Sequence, residues 1–366
     1  MKQLHFEGSG FEYFKIWIVN ILLIIITLGV YYPWAKVRNQ RYFYANTTLE
    51  SRNFEYHATG KQLFLGYIMA MALLLVLSIV QNISPLGAVG TFLLLSLIIP
   101  WIIWRSLMFT MRMSSFSNVR FRFVGSLKGA YVNFMLLPGA LFLCLYGAPG
   151  LAFLLLFTLP DAIGIGLGVL ILAYASTFTA LALYLGALIK NKNTSYVVNG
   201  YRFGQGQFNT TLETHKFAKI LIKTIGIGFL MLISIVIFTV IMMALTGGLA
   251  GLLSLVSGDS EAIKVLFSGP NINRGLGLSY IAVLLSSFIV VAYFQAHVRQ
   301  YVFDNTLLNE NVSFRSSLTT RALAWLMISN FVLLVMTLGL ATPWAKVRRA
   351  QLILKNTLVD VDSGFD

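Results

Sequence analysis

The sequence predicts an all-α polytopic membrane bundle with short cytoplasmic β-hairpins between its helices. Of its 366 residues, 57% are hydrophobic and 11% are charged, whereas a soluble domain normally has about a quarter of its residues charged. Apolar stretches of membrane-spanning length recur along the chain. Most basic residues gather at one set of stretch ends, and only Lys264 and Arg274 lie in a connection on the other side, which is typical of a membrane protein with a defined orientation.

Six apolar stretches are long enough to cross a bilayer, for which roughly 20 residues are needed. We expect one secure span in each of them, near residues 62–83, 89–111, 131–158, 166–189, 217–246 and 278–298. Two further segments, 14–32 and 322–342, have borderline length and either span the membrane or are broken and re-enter it. Residues 1–366 are predicted to form a single integral membrane domain.

The charge distribution predicts which ends of the spans face the cytoplasm. The formal net charge is +14, yet the connections around 82–90 and 145–163 carry a single charged residue, Asp161. Short loops rich in lysine and arginine stay on the cytoplasmic side, so we expect the basic connections to be cytoplasmic. Because these residues flank spans, membrane orientation explains them without a nucleic-acid partner. Anionic membrane lipids are the expected partners.

Four connections between spans share a pattern that predicts a short β-hairpin. Each contains a polar start and an alternating stretch such as Phe121-Arg122-Phe123, which puts apolar side chains on one face of a strand. The third connection is expected to turn at Val198-Asn199-Gly200. The hairpin-like connections lie near residues 46–60, 112–126, 193–209 and 305–319.

The two ends of the chain resemble the halves of a fifth hairpin. Residues 356–362 have the pattern of a first strand, and residues 4–10 have the pattern of a second. Isolated two-stranded hairpins are marginal in water. We therefore expect the terminal strands to pair with each other, and the five hairpins to pack into one cytoplasmic collar.

An internal repeat relates residues 20–47 to residues 330–357. Thirteen of the 28 aligned positions are identical, including the runs Pro33 to Arg38 and Pro343 to Arg348. If segment 322–342 crossed the membrane, the basic residues after it would be external, against the positive-inside bias. We expect a re-entrant path instead, in which each segment breaks and returns to the same side. A plain eight-span chain is the alternative. The predicted break positions are Gly29, Pro33, Gly339 and Pro343.

The repeated basic segment is the candidate ligand site. A helix that begins at Pro33 has free N–H groups and a positive dipole end in its first turn, where Lys36 also lies. Lys36 and Arg38 are about 200° apart on a helix, so they cannot point into one site. The candidate residues for a ligand or a lipid headgroup are Lys36, Arg38, Arg41, Lys346, Arg348, Trp34 and Trp344.

A simpler interpretation of the same segment involves lipid alone. Trp34 and Trp344 would anchor the chain at the membrane interface, while the basic side chains reach anionic headgroups. Catalytic chemistry is not indicated, because no predicted span has an acidic residue near its middle and no nucleophile-base arrangement is present. The single cysteine, Cys144, and four scattered histidines do not predict a metal site. No cofactor is expected.

The paired Thr-Leu-Gly and Pro-Trp-Ala-Lys-Val-Arg elements, with hairpins between them, resemble the YjgN-like bacterial inner-membrane family, a domain of unknown function. The resemblance implies a bacterial inner-membrane protein and implies no activity or ligand. From the residues we predict passive transport or binding of a small or amphipathic anionic ligand. The alternative is a non-transporting envelope scaffold that binds anionic lipid or a protein partner.

Overall fold

A computed structural model describes residues 1–83, 85–147, 150, 165–257, 270–309 and 311–361. Most of these residues are helical. We number the helices in chain order: α1 (Gly10–Ile26), α2 (Tyr32–Ala45), α3 (Gly60–Ile83), α4 (Pro85–Arg112), α5 (Leu127–Gly147, with π-helical segments), α6 (Ile165–Gly200), α7 (Thr214–Ser257), α8 (Pro270–Asp304), α9 (Thr320–Met336) and α10 (Thr342–Lys355).

The prediction of an all-α bundle with six secure spans is wrong. Among the described residues, five helices are long and apolar enough to cross a membrane: Gly60–Asn82, Pro85–Arg112, Leu127–Gly147, Thr214–Thr239 and Gly277–Asp304. The span expected at 131–158 continues past residue 147 into residues outside the described part, and the one expected at 166–189 falls on α6, where the side chains of 165–175 are not described. The chain also forms a large β-sheet.

Eleven short antiparallel strands form this sheet. In chain order they are β1 (Lys2–Gln3), β2 (His5–Phe6), β3 (Thr47–Leu49), β4 (Arg52–Tyr56), β5 (Ser114–Phe116), β6 (Val119–Phe123), β7 (Tyr201–Phe203), β8 (Gly206–Thr210), β9 (Thr306–Leu308), β10 (Val312–Ser316) and β11 (Thr357–Val361). Separate hairpins would leave unpaired N–H and C=O groups at every edge. Pairing each hairpin with the next satisfies those groups, which is why the β-content is one sheet.

The N-terminal segment almost closes the sheet into a ring. The strand order runs β1-β11-β10-β9-β8-β7-β6-β5-β4-β3-β2, so its two end strands are neighbours in the sequence, separated by Leu4. Lys2 pairs with Val359 in β11, and His5 pairs with Thr48 in β3. The N-terminal residues that pair with β11 are Lys2 and Gln3, just before the predicted segment 4–10, from which only the N–H of Leu4 donates to the carbonyl of Thr357 at 3.2 Å. Residues 5–6 pair with β3 instead, and this second pairing nearly closes the ring.

Two-residue turns connect the strands of the first three hairpins, and three residues, 309–311, separate β9 from β10. Glu50 and Ser51 between β3 and β4 both have positive φ, as do Ser117 and Asn118 between β5 and β6. Such turns match the right-handed twist of the flanking strands. The third hairpin turns at Gly204, with φ of 56°, and not at Val198-Asn199-Gly200 as predicted. Helix α6 continues through Gly200, where the side chain of the predicted turn residue Asn199 accepts from the backbone N–H of Thr210 at 2.7 Å and so bonds the end of β8 instead of forming a turn.

The chain divides into two compact units. The first comprises Met1–Ala218, Arg299–Leu318 and Leu333–Asp366, and it contains every strand of the sheet. The second comprises Lys219–Val298 and Thr319–Val332. Within the second unit, Phe288 and Phe331 have ring centroids 5.3 Å apart, and the hydroxyl groups of Thr239 and Ser279 are 2.6 Å apart.

Helices α1 and α2 are joined by a tight turn whose backbone recurs between α9 and α10. Leu28 and Gly29 have φ of 49° and 92°, and Leu338 and Gly339 have φ of 50° and 87°. The N–H of Gly29 donates to the carbonyl of Ile24 at 2.8 Å, as in a Schellman helix end. The two predicted glycines therefore occupy the turn itself, and the two predicted prolines follow it in the first turn of α2 and α10.

Candidate functional site

A cavity of about 520 Å³ lies beside α1 and α2 and is reached by Lys346 from α10. The α1 face of its wall carries Tyr13, Trp17, Asn20, Ile21 and Ile24, and the α2 face carries Tyr32, Lys36, Asn39, Gln40 and Phe43. Both sets have the spacing i, i+4, i+7, i+8, i+11, which selects one helical face. We call this space the paired-lysine cavity, because it brings together the equivalent lysines of the two repeats.

Aromatic stacking and an amide contact hold α1 against α2. The ring of Tyr13 stacks on Tyr42 at 5.2 Å and meets Phe43 edge-on at 4.8 Å. Deeper along the helix pair, Asn20 Nδ2 donates to Asn39 Oδ1 at 3.0 Å. At the start of α1, the Ser9 side chain accepts from the backbone N–H of Glu12 in a capping box. These contacts fix the spacing of the two cavity faces.

Two buried polar atoms in the cavity wall lack a hydrogen-bond partner within the described chain. They are the hydroxyl of Tyr13, which is 0% exposed, and Oδ1 of Asn20, which is 2% exposed. An unsatisfied buried polar group costs about 1–3 kcal/mol. Burial also raises the pKa of the Tyr13 phenol to about 12, so this group stays protonated at neutral pH and is a donor. A ligand in the cavity can supply the missing partners.

The electrostatics of the cavity favour an anion. No acidic residue belongs to its wall in the described part of the chain, whereas Lys36 and Lys346 both do. The ammonium of Lys346 lies 5.9 Å from the ring centroid of Tyr13, which is a cation–π distance. Lys346 is exposed as a residue, yet partial desolvation lowers the pKa of its ammonium below 10.5. A bound anion would stabilise its charged form.

The other predicted basic residues are not brought into the cavity wall. Arg38 is exposed on another face of α2, in agreement with the angular separation from Lys36. Arg41 donates from Nη2 to the carbonyl of Ala58 at 2.7 Å, so it supports the start of α3. Arg348 lies on α10 and is also absent from the wall. Of the predicted cations, only the two lysines meet.

The two predicted tryptophans pack against glycines at the starts of other helices. A side chain at Gly60 would overlap the indole of Trp34, and one at Gly10 would overlap the indole of Trp344. Trp344 also contacts Phe14, with centroids 5.2 Å apart, while 37% of its surface stays exposed. Both tryptophans therefore hold helices in place. Anchoring at a lipid interface stays a prediction.

Sequence reasoning missed Tyr13, Asn20 and Asn39 as wall residues. Asn20 was visible as one of the identical positions of the repeat, matched by Asn330, but it was given no role. A third Pro-Trp pair was also missed. Pro33, Pro100 and Pro343 each precede the next strand by fourteen residues, and all three are fully buried. Aligning the sequence on the first residue of each of these strands would have revealed this third pair. In the described residues, no group of three or more His, Cys, Asp or Glu could hold a metal ion.

The apolar helices, the eleven-stranded sheet and the cavity lined by two lysines together define a multi-span membrane protein with a cationic cavity. The chain belongs to the family described as "Bacterial protein of unknown function (DUF898)", which matches residues 1–366.

Two relatives are named as inner-membrane proteins. The chain is 31% identical to "Inner membrane protein YjgN" of Salmonella typhimurium, covering 98% of this chain and 89% of the relative. It is 27% identical to the protein of that name from Escherichia coli K12, covering 98% and 88%. No solved structure matches the chain. Neither the family nor these relatives carry an enzymatic name, and the recognised family and the membrane setting are confirmed.

Proposed function

We propose that this protein binds small or amphipathic anions in the paired-lysine cavity and lets them cross the bacterial inner membrane passively. One observation supports the proposal above the others: Lys36 and Lys346, 310 positions apart, line one cavity of about 520 Å³ with no acidic residue in its described wall. Hydrogen bonds to charged groups contribute about 1.5–3 kcal/mol each. Two ammonium groups and a phenolic donor form a suitable set for a phosphate or a carboxylate.

The proposal includes a re-entrant path for the terminal elements. The chain leaves the sheet at Phe6 and returns at Thr47, and these two residues are paired. It leaves again at Ser316 and returns at Thr357, which are also paired. Helix α1 has 17 residues, or about 26 Å of rise, which is less than the roughly 30 Å of a hydrocarbon core. We infer that α1 and α9 enter from the cytoplasmic side, and that α2 and α10 return to it.

Passive movement is favoured over coupled pumping. Proton- and cation-coupled transporters normally carry carboxylates inside their spans. In the five candidate spans of the described residues, the only acidic residue is Asp304, at the very end of its helix. The two charged residues of the described cavity wall, Lys36 and Lys346, are both positive and the other polar residues are neutral, so an anion can enter and leave without a compensating ion.

Flux through proteoliposomes tests the proposal. Purified protein is reconstituted, and uptake of radiolabelled inorganic phosphate and benzoate is measured with and without a pH gradient. The double variant Lys36→Ala, Lys346→Ala should reduce uptake by at least about tenfold, because it removes both charge-assisted contacts. Arg38→Ala is the matched control, since Arg38 lies on α2 outside the cavity wall. Equal loss in the control and in the double variant would contradict the proposal.

A non-transporting scaffold for anionic lipid is the second candidate. It is supported by arginines on the sheet face opposite the phenylalanines, where Arg120, Arg122 and Arg315 are exposed and Arg122 is paired directly with Arg202. Like charges opposite each other are destabilising, so an anionic surface would offset them. Retention of phosphatidylglycerol by the wild type, lost in Arg122→Gln, together with zero flux of either anion, would favour this function over transport.

A further inference from the structure

The inner face of the sheet encloses a second cavity, of about 370 Å³. Its wall is built from alternate residues of the strands, because successive side chains of a strand point to opposite faces. Six phenylalanines form a continuous lining that we call the phenylalanine belt: Phe54, Phe116, Phe121, Phe203, Phe208 and Phe314. Small closed sheets are normally filled by their own side chains. The volume instead lies in the range of ligand pockets, about 300–1,000 Å³.

Cross-strand pairing produces the belt. Phe54 is opposite Phe116, and Phe121 is opposite Phe203, with ring centroids 4.6 and 4.9 Å apart. Phe208 stacks on Phe314 at 5.8 Å. These contacts hold the rings at the wall and leave the centre of the sheet open. The lining is therefore complementary to an apolar ligand body.

Two cations belong to the described wall of this apolar space, the exposed Arg52 of β4 and the more buried Arg299 of α8. Arg299 of α8 lies in the cavity wall, where Nη2 donates to Thr357 Oγ1 at 2.7 Å and the guanidinium lies 4.2 Å from the ring centroid of Phe303. Its Nε is buried and has no hydrogen-bond partner in the described chain. The only acidic residue of the described wall, Glu50, lies at a hairpin turn and is paired with Lys2. Leaving a guanidinium group buried without an anion is costly.

A third cavity, of about 520 Å³, adjoins both this space and the paired-lysine cavity. Its wall shares Leu4, Phe54 and Leu354 with the phenylalanine-lined cavity. It shares Phe43 and Lys346 with the paired-lysine cavity. The three spaces are thus neighbours along one series of wall residues, and the interior of the sheet is adjacent to the site of the proposed function.

We propose that the interior of the sheet is a separate binding site for a single-chain amphipathic carboxylate, with the carboxylate on Arg299 and the apolar chain against the phenylalanine belt. A carboxylate matches the planar guanidinium and satisfies its free Nε. The apolar chain gains about 0.8 kcal/mol per buried methylene group, which is about a fourfold gain in affinity for each. A neutral alcohol of equal length keeps the apolar contacts of the chain and lacks the charge-assisted contact with Arg299.

Equilibrium dialysis of amphipol-solubilised protein against radiolabelled decanoate tests this site, with decanol as the neutral ligand and empty amphipol as the blank. Arg299→Gln should weaken decanoate binding by at least about tenfold and leave decanol binding unchanged, while Arg299→Lys should restore part of the loss. Arg315→Gln, on the other sheet face, is the matched control. A purely structural role for Arg299 would weaken both ligands equally, and that result would overturn the proposal.

Two further measurements separate this site from the paired-lysine cavity. Phe208→Trp should fill part of the space and weaken both decanoate and decanol, without changing phosphate flux. The double variant Lys36→Ala, Lys346→Ala should reduce phosphate flux by at least about tenfold and leave intact the part of decanoate binding that is lost in Arg299→Gln. A decanoate with a terminal diazirine should crosslink to the strands that carry the belt. Crosslinks confined to the apolar helices would overturn the site while leaving the proposed transport function untouched.

Discussion

The first and last helix pairs have the same turn but different surroundings. Thr27 donates to the carbonyl of Leu23 at 2.7 Å and accepts from the N–H of Tyr31 at 3.0 Å. Thr337 makes the equivalent bonds to Leu333 and Ala341 at 2.7 and 3.1 Å. The first pair builds two faces of the paired-lysine cavity, whereas the last contributes Lys346. The two copies of the repeat thus share the same turn between their helices, while the cavity is built mainly by the first copy.

The difference lies in the residues that follow each turn. In the first pair, Tyr31 stacks on Trp34 at 6.1 Å, and Tyr32 enters the cavity wall. In the last pair, Ala341 is buried and the Thr342 hydroxyl donates to the carbonyl of Gly339 at 2.5 Å. The identical positions therefore hold the fold, and the diverged positions decide which copy forms the site.

Substitution of the two glycines that pack against Trp34 and Trp344 should cause the largest loss of stability. Gly10→Leu and Gly60→Leu should each lower the free energy of unfolding by about 1–3 kcal/mol, because the new side chains overlap Trp344 and Trp34. Thermal unfolding in detergent, followed by intrinsic fluorescence, measures the loss. Gly66→Leu in α3 is the control, since a Cβ there meets nothing within 4 Å. A loss at only one of the two positions would show that the packing is not repeated.

Glycine substitutions in the two equivalent turns, α1–α2 and α9–α10, should destabilise the protein equally. Gly29→Ala and Gly339→Ala each place a Cβ at φ near +90°, which costs about 1–2 kcal/mol. Space is available at both positions, where the nearest atom is the Tyr67 hydroxyl, 3.6 Å from a Cβ at Gly29. The same unfolding measurement should give equal losses. Unequal losses would mean that the two turns differ in strain despite equal dihedral angles.

The pH dependence of anion binding should identify the contribution of the last repeat. Only the protonated form of Lys346 attracts an anion, so its contribution to affinity is complete below the pKa of this ammonium group and is lost as pH rises through that pKa. Because desolvation lowers that pKa below 10.5, the fall should begin below the range of an ordinary lysine, about 10.4. Lys346→Arg should move it to higher pH. An unchanged pH profile of phosphate binding in that variant would exclude Lys346 from the site.

The smallest change, in the affinity for phosphate, is expected from exchanging the residues that differ between the two repeats, Tyr32 and Thr342. Tyr32→Thr should weaken phosphate binding about two- to fivefold, in line with about 0.5–1 kcal/mol for one neutral hydrogen bond, since Tyr32 lines the cavity. Thr342→Tyr, the reverse exchange in the last repeat, should leave binding unchanged because Thr342 is outside the wall. Isothermal titration of both variants makes the comparison. Equal effects would contradict the asymmetric site.

Local patterns were sufficient to locate most strands but not their arrangement. The alternation around Phe121 and Tyr201 predicted strands. The split copy at the chain ends predicted that residues 4–10 pair with 356–362, whereas residues 2–3 pair with β11 and residues 5–6 pair with β3. The third turn was misplaced because Asn193 to Gly200 has turn-forming residues that the structure keeps helical. The repeat also singled out Lys36 and Lys346 as candidate ligand residues. No local sequence pattern marked Tyr13 as a wall residue, although its hydroxyl is buried without a hydrogen-bond partner in the described chain.

The sequence by itself determined the membrane setting, the paired helix breaks and the strand-forming connections, because hydropathy, glycine and proline positions and side-chain alternation are local properties of the chain. Only the tertiary structure decided that eleven strands form one nearly closed sheet around a phenylalanine-lined space, and that two lysines share a cavity. Both depend on contacts between residues far apart in sequence, since strand edges find their partners and helix faces find their neighbours only when the whole chain has folded.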